Sequence, residues 1–108
     1  MYFNNLNLII TKNIKDYLDK EICSLLIESI LEQKKKYKLD YFQVFYLTAD
    51  IENKKLFIRH IQDKTEDIEN FEKFMILKTE NFKFEKFDNV VYIKDDVTHQ
   101  TILFSFEN

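Results

Sequence analysis

One stretch constrains everything else. Lys15 to Lys36, KDYLDKEICSLLIESILEQKKK, is long and periodic enough to be read as a helix without help from its neighbours. Ile14, Leu18, Ile22, Leu25 and Leu26, then Ser29 and Ile30, recur at the spacing that stacks side chains on one helical face, and that face has to be buried. Cys23, Ile27 and Leu31 widen it beyond half the circumference, more than one sheet covers. Asn13 can cap the start, with Asp16 and Asp19 as rival caps, and Lys34, Lys35, Lys36 and Lys38 suit the negative pole at the far end near Tyr37. The same lysines around Tyr37 also have the make-up of a nucleic-acid contact, phosphate-binding charge beside a stacking ring. The chain carries a net charge of −3 from 19 acidic and 16 basic residues, which favours the dipole reading and makes nucleic acid an unlikely partner.

Around the helix the pattern changes to strands. Asn5 to Thr11 places Leu6, Leu8 and Ile10 on one side and Ile9 on the other. Asp40 to Thr48 has apolar residues on both faces, Tyr41, Phe45 and Leu47 against Phe42, Val44 and Tyr46, which assigns it to the middle of a sheet. Asp50 to Lys54 is a short polar connection to a second strand, Lys55 to Gln62, in which Leu56, Ile58 and His60 share a face. Acidic residues after Thr65 predict a brief helical turn near Asp67, leading into a strand through Phe74, Ile76 and Lys78. Asn81 to Phe87 alternates like a strand with one wet face, and Asp88-Asn89 is a turn. Val90 to Asp95 and Gln100 to Phe106 then form a last hairpin across Asp96 to His99. The expected fold is α+β: one long helix packed on a mainly antiparallel sheet of about six strands, with residues 1–108 as a single domain.

Composition enters as a warning about turns. The chain has no Gly and no Pro, and Arg59 is its one arginine, a footprint of an AT-rich genome that mutes the usual turn signals. Cys23 lies on the apolar helix face and reads as a buried thiol. With no disulfide framework, no signal-peptide pattern in MYFNNLNLII and no apolar run of the ~20 residues that span a bilayer, a cytoplasmic protein without a membrane role is expected.

Three stretches, LDYFQVFYL from Leu39 to Leu47, IRHIQDKTE from Ile58 to Glu66 and VVYIKDDVTHQTILFSFEN from Val90 to Asn108, together resemble an uncharacterised bacterial family catalogued as domain of unknown function 960. That family's pattern has a Tyr-Leu-Gln-Val/Ile-Phe-type strand after a helix, a His-x-Gln-Glu-type strand end and a Val-Ile-Asp-Asp…His hairpin. Here Asp63 follows the Gln and no Pro follows it. The resemblance implies the fold and the cytosolic setting; it carries over no activity and no catalytic residues.

Two groups of residues invite a functional reading. Asp95, Asp96 and His99 form a D-D-x-x-H cluster that His60, Gln62 and Asp63 could approach, a set able to hold a divalent metal and activate water. The plainer reading is a turn whose aspartates satisfy local backbone amides. No phosphate-binding glycine loop, paired cysteine ligands or activated nucleophile accompanies it, so no catalytic residue, metal or cofactor is assigned. The second group is aromatic: six Tyr and eleven Phe exceed the needs of a small core, and Tyr2, Phe3, Phe71 and Phe87 are candidate exposed anchors for a protein partner, alongside Asp95, Asp96 and His99. Codon bias towards Phe and Tyr explains the excess equally well.

The leading expectation is a non-enzymatic, acidic protein-binding module, of the kind a phage or mobile element uses to inhibit a host nucleic-acid enzyme. The alternative is a metal-dependent hydrolase built on Asp95, Asp96 and His99. A homodimer through the helix's second apolar face is compatible with either.

Overall fold

A computed structural model describes residues 2–4, 6–79 and 88–108. The elements follow in the order β1 Leu8–Ile10, α1 Lys12–Tyr17, α2 Lys20–Lys34, β2 Phe42–Asp50, β3 Lys55–Gln62, β4 Phe71–Lys78, β5 Asp88–Asp95 and β6 Gln100–Phe104, ending in a 3₁₀ turn, Ser105–Glu107. The strands form one sheet in the order β1-β6-β5-β2-β3-β4. Every neighbouring pair is antiparallel except β1 with β6, which is parallel and brings the N-terminal strand against the last one. The fold is thus α+β with a mostly antiparallel sheet, and β2 sits inside it as its two apolar faces require.

One long helix is present among the described residues, α2, but the continuous run expected over Lys15 to Lys36 is divided. Thr11, not Asn13, caps α1 by accepting from the Ile14 amide at 3.3 Å. The chain then goes extended at Leu18 and Asp19 before α2 starts. Periodicity alone could not show this break, because Ile14, Leu18 and Ile22 are buried either way. Asp19, one of the rival caps, stands at the N-cap position of α2. The break lets α1 lie beside β6, with Tyr17 edge-on to Phe104, while α2 runs separately.

Alternate residues of the strands meet α2. Phe45 and Leu47 of β2, Leu56 and Ile58 of β3, Val91 and Ile93 of β5 and Ile102 of β6 join Ile14, Leu18, Ile22, Leu26 and Ile30 in the core. Two further expectations change. The helical turn near Asp67 is a bend in which Thr65 and Ile68 exchange backbone hydrogen bonds. Asp88-Asn89 begins β5 instead of forming a turn, and the last strand ends at Phe104. The strand expected over Asn81 to Phe87 lies outside the described residues.

Left-handed backbone falls on Phe3, Lys54 and Val97, with φ of 61°, 55° and 76°. Glycine would ordinarily take such positions, and a chain without any must strain other residues into them.

Candidate functional site

The D-D-x-x-H sequence lies in the β5–β6 hairpin, where the Asp96 amide donates to the His99 carbonyl at 2.9 Å. The two carboxylates have separate partners. Asp95 is buried, and its Oδ2 accepts from the Phe3 amide. Its Oδ1 accepts from the Val97 amide at 2.6 Å and from Gln100 Nε2 at 3.3 Å. Gln100 Oε1 in turn accepts from the Asn7 amide at 2.6 Å. Asp95 and Gln100 therefore fasten the N-terminal arm to the end of the sheet. Asp96 is exposed and meets His99 Nε2 at 3.1 Å. Among the described residues no three His, Cys, Asp or Glu side chains converge as metal ligands.

His60 goes elsewhere. It is fully buried on β3, and its Nδ1 lies 2.8 Å from Ser29 Oγ on α2. Its Nε2 lies 2.7 Å from Gln43 Oε1 on β2. Gln43 Nε2 donates to Gln62 Oε1 at 2.7 Å and to the Asp40 carbonyl at 3.0 Å, so its oxygen is the atom turned to His60. The imidazole must then carry its proton on Nε2 and accept from the Ser29 hydroxyl on Nδ1. Gln62 completes the chain: its oxygen also accepts from the Asp40 amide at 2.9 Å, and its nitrogen donates to the carbonyls of Lys38 and Glu69 at 3.0 and 2.9 Å. Burial, with the charge of Lys73 second, pulls the His60 pKa down from 6.5 to about 3 and keeps the ring neutral. Phe45 stacks on it at 4.2 Å between centroids and Phe71 meets it edge-on at 4.9 Å. Ser29 and His60 have the spacing of a nucleophile and its base, yet both are sealed from solvent, so this chain of polar groups orders the core. Burial, with Asp19 second, raises the thiol pKa of Cys23 and disfavours the reactive thiolate.

The aromatic candidates divide. Phe3 is 1% exposed and Phe71 6%, so neither is a surface anchor. Phe3 is held by its amide on Asp95 and by Lys34 Nζ, 2.9 Å from its carbonyl oxygen; Phe71 packs between His60 and Tyr37. Phe87 lies outside the described residues. Tyr2 is partly exposed and tilts against Tyr41 at 5.9 Å, and Tyr41 continues through Phe42 to Tyr92.

The surface aromatics that sequence reasoning missed are on the sheet face turned away from α2. Register places Tyr46, Arg59 and Phe74 in one cross-strand row, with Phe57 and Ile76 paired beside it. Phe74 and Ile76 are 68% and 62% exposed, and Tyr46 and Phe57 about 40%. Arg59 spans the row, its guanidinium 5.5 Å from the Tyr46 ring centroid and 3.0 Å from Glu72. A depression of about 340 Å³ opens there, lined by Val44, Tyr46, Arg59, Ile61 and Glu72 among others. The alternation of Phe74 and Ile76 was visible in the sequence; that nothing among the described residues covers their face was not. A second, apolar groove of about 1030 Å³ runs between α2 and the β1 edge, over Leu8, Ile10, Cys23, Ile27 and Leu31, which is the over-wide helix face.

No helix of the described residues is long and apolar enough to cross a membrane. No family model matches the chain, and no curated protein matches its sequence. A solved structure, of a protein of unknown function from Enterococcus faecalis, is similar with a TM-score of 0.75 over 97% of this chain and 92% of that one, at 16% identity. That likeness extends over nearly the whole chain and concerns the fold alone.

Proposed function

We propose that the protein is a non-enzymatic binding module whose open sheet face receives a protein partner. The observation that carries this reading is the exposed patch of Tyr46, Phe57, Phe74 and Ile76 on neighbouring strands, with Arg59 among them. Aromatic rings and arginine at the centre of a patch are the residue types that anchor protein interfaces. The groups that could have done chemistry are committed elsewhere: Asp95 to backbone amides, His60 to Ser29 and Gln43. A finer version, a phage or mobile-element inhibitor seated in the basic channel of a host nucleic-acid enzyme, draws on the net charge of −3; the open face itself mixes Arg59 and Lys78 with Glu72. Kinship with domain of unknown function 960 belongs to the same proposal, since its three stretches fall on β2, β3 and the β5–β6 hairpin.

The test compares two tagged proteins in lysate of the host: the wild type and a Phe57→Ser, Phe74→Ser variant with unchanged melting. A stoichiometric partner held by the first and lost by the second supports the reading. A partner held equally by both, or none, overturns it.

A further inference from the structure

Beyond that face, the sheet has an edge with its own logic. β4 pairs with β3 alone, and among the described residues no strand lies on its other side. It presents eight residues of regular backbone, long enough to template a further strand. Edges of this length are usually guarded by charge. Here Phe74 and Ile76, the most exposed apolar residues of the sheet, occupy the middle, and the charged residues Glu72 and Lys78 stand at the two ends on the same face.

We propose that a second copy of this chain pairs with β4 antiparallel about a two-fold axis at Met75, continuing the sheet from one protomer into the other. The register is written in the strand. With Met75 opposite the partner's Met75, each Glu72 faces the partner's Lys78 and each Phe74 faces the partner's Ile76, so two ion pairs bracket two aromatic–aliphatic pairs. Cross-strand neighbours of these kinds stabilise a sheet, and like charges placed opposite each other destabilise it. Lys78 has a specific need for an acid there, because within its own protomer its cross-strand neighbour is Lys55. Two-fold pairing buries the same edge on both copies and closes the assembly at two, which prevents a long apolar edge from recruiting further strands. The charge pattern favours this occupant over an arbitrary peptide, which would have to bring an acid and a base at the same separation in the opposite direction. Dimerisation would also join the two open faces into one continuous surface.

The experiment is sedimentation equilibrium at low ionic strength on four samples: wild type, Glu72→Lys, Lys78→Glu and an equimolar mixture of the two variants. The wild type is expected to double its mass with concentration. Each single variant sets two like-charged pairs against each other and weakens association roughly tenfold or more. In the mixture, both lysines of the Glu72→Lys chain meet the two glutamates of the Lys78→Glu chain, and the dimer returns as a heterodimer. Thermal melts of dilute samples confirm that all chains fold. A wild type that stays at the mass of one chain overturns the proposal. So does a dimer that both variants retain, or one that is abolished in a fifth, control sample carrying Leu31→Glu in the α2 groove.

Discussion

The two faces of this sheet are made by alternate residues of the same strands, yet they solve opposite problems. On β3, Leu56, Ile58 and His60 point to α2 and are buried, while Phe57 and Arg59 between them point away and are exposed. The covered face even admits polar groups, because Ser29, His60, Gln43 and Gln62 satisfy one another. The open face leaves Phe74 and Ile76 mostly in water. A protein that needed those rings only for stability would have turned them inward, and the contrast is the ground for proposing the open face as a binding surface.

Four measurements put that contrast at risk, in descending order of effect. The first is pH. His60 is held neutral in the fold, with its pKa lowered from 6.5 to about 3, so between those values the unfolded chain takes up a proton that the folded one refuses. Its contribution is complete above pH 6.5 and is lost as pH falls towards 3, by up to roughly 5 kcal/mol, taking three and a half pH units at about 1.4 kcal/mol each. Urea unfolding of the wild type and His60→Gln at pH 7 and pH 4 isolates this part; equal pH slopes in the two proteins would deny His60 that role.

Next, Phe45→Ala removes the ring stacked on His60 and is expected to cost about 3–5 kcal/mol in chemical denaturation. Ser29→Ala is smaller: it leaves His60 Nδ1 without its donor and should cost about 1–3 kcal/mol. If Ser29→Ala proved neutral, the buried polar chain would have no structural role. Last, Phe74→Ser and Ile76→Ser on the open face should each change stability by less than about 0.5 kcal/mol when measured on dilute protein. A loss as large as that at Phe45 would mean that this face is a second core, and the case for a binding surface would collapse.

Several elements were legible because they depend on neighbours in sequence. β2, β3 and the β5–β6 hairpin declare themselves by alternation and by short polar connections, and the buried Cys23 by its place on the helix. Other features were hidden for identifiable reasons. The break at Leu18 leaves the apolar spacing intact, so no periodicity could report it. Phe3 and Phe71 look like spare aromatics until a distant Asp95 and His60 claim them. Asp95 looks like a turn residue beside Asp96, and only the returning N-terminal arm buries it. The turns themselves lacked the usual signal, since left-handed positions such as Val97 could not be marked by glycine in a chain that has none.

Local pattern was therefore enough to find β2, β3 and the β5–β6 hairpin and to put β2 in the middle of the sheet. It took the tertiary structure to decide which of two apolar strand faces is covered, that β1 runs parallel to β6, and that Asp95 and His60 serve the fold. The physical reason is common to all three. An apolar or titratable side chain has its energetic meaning set by what lies against it, and here those partners, Phe3 for Asp95 and Ser29 for His60, stand 92 and 31 residues away along the chain.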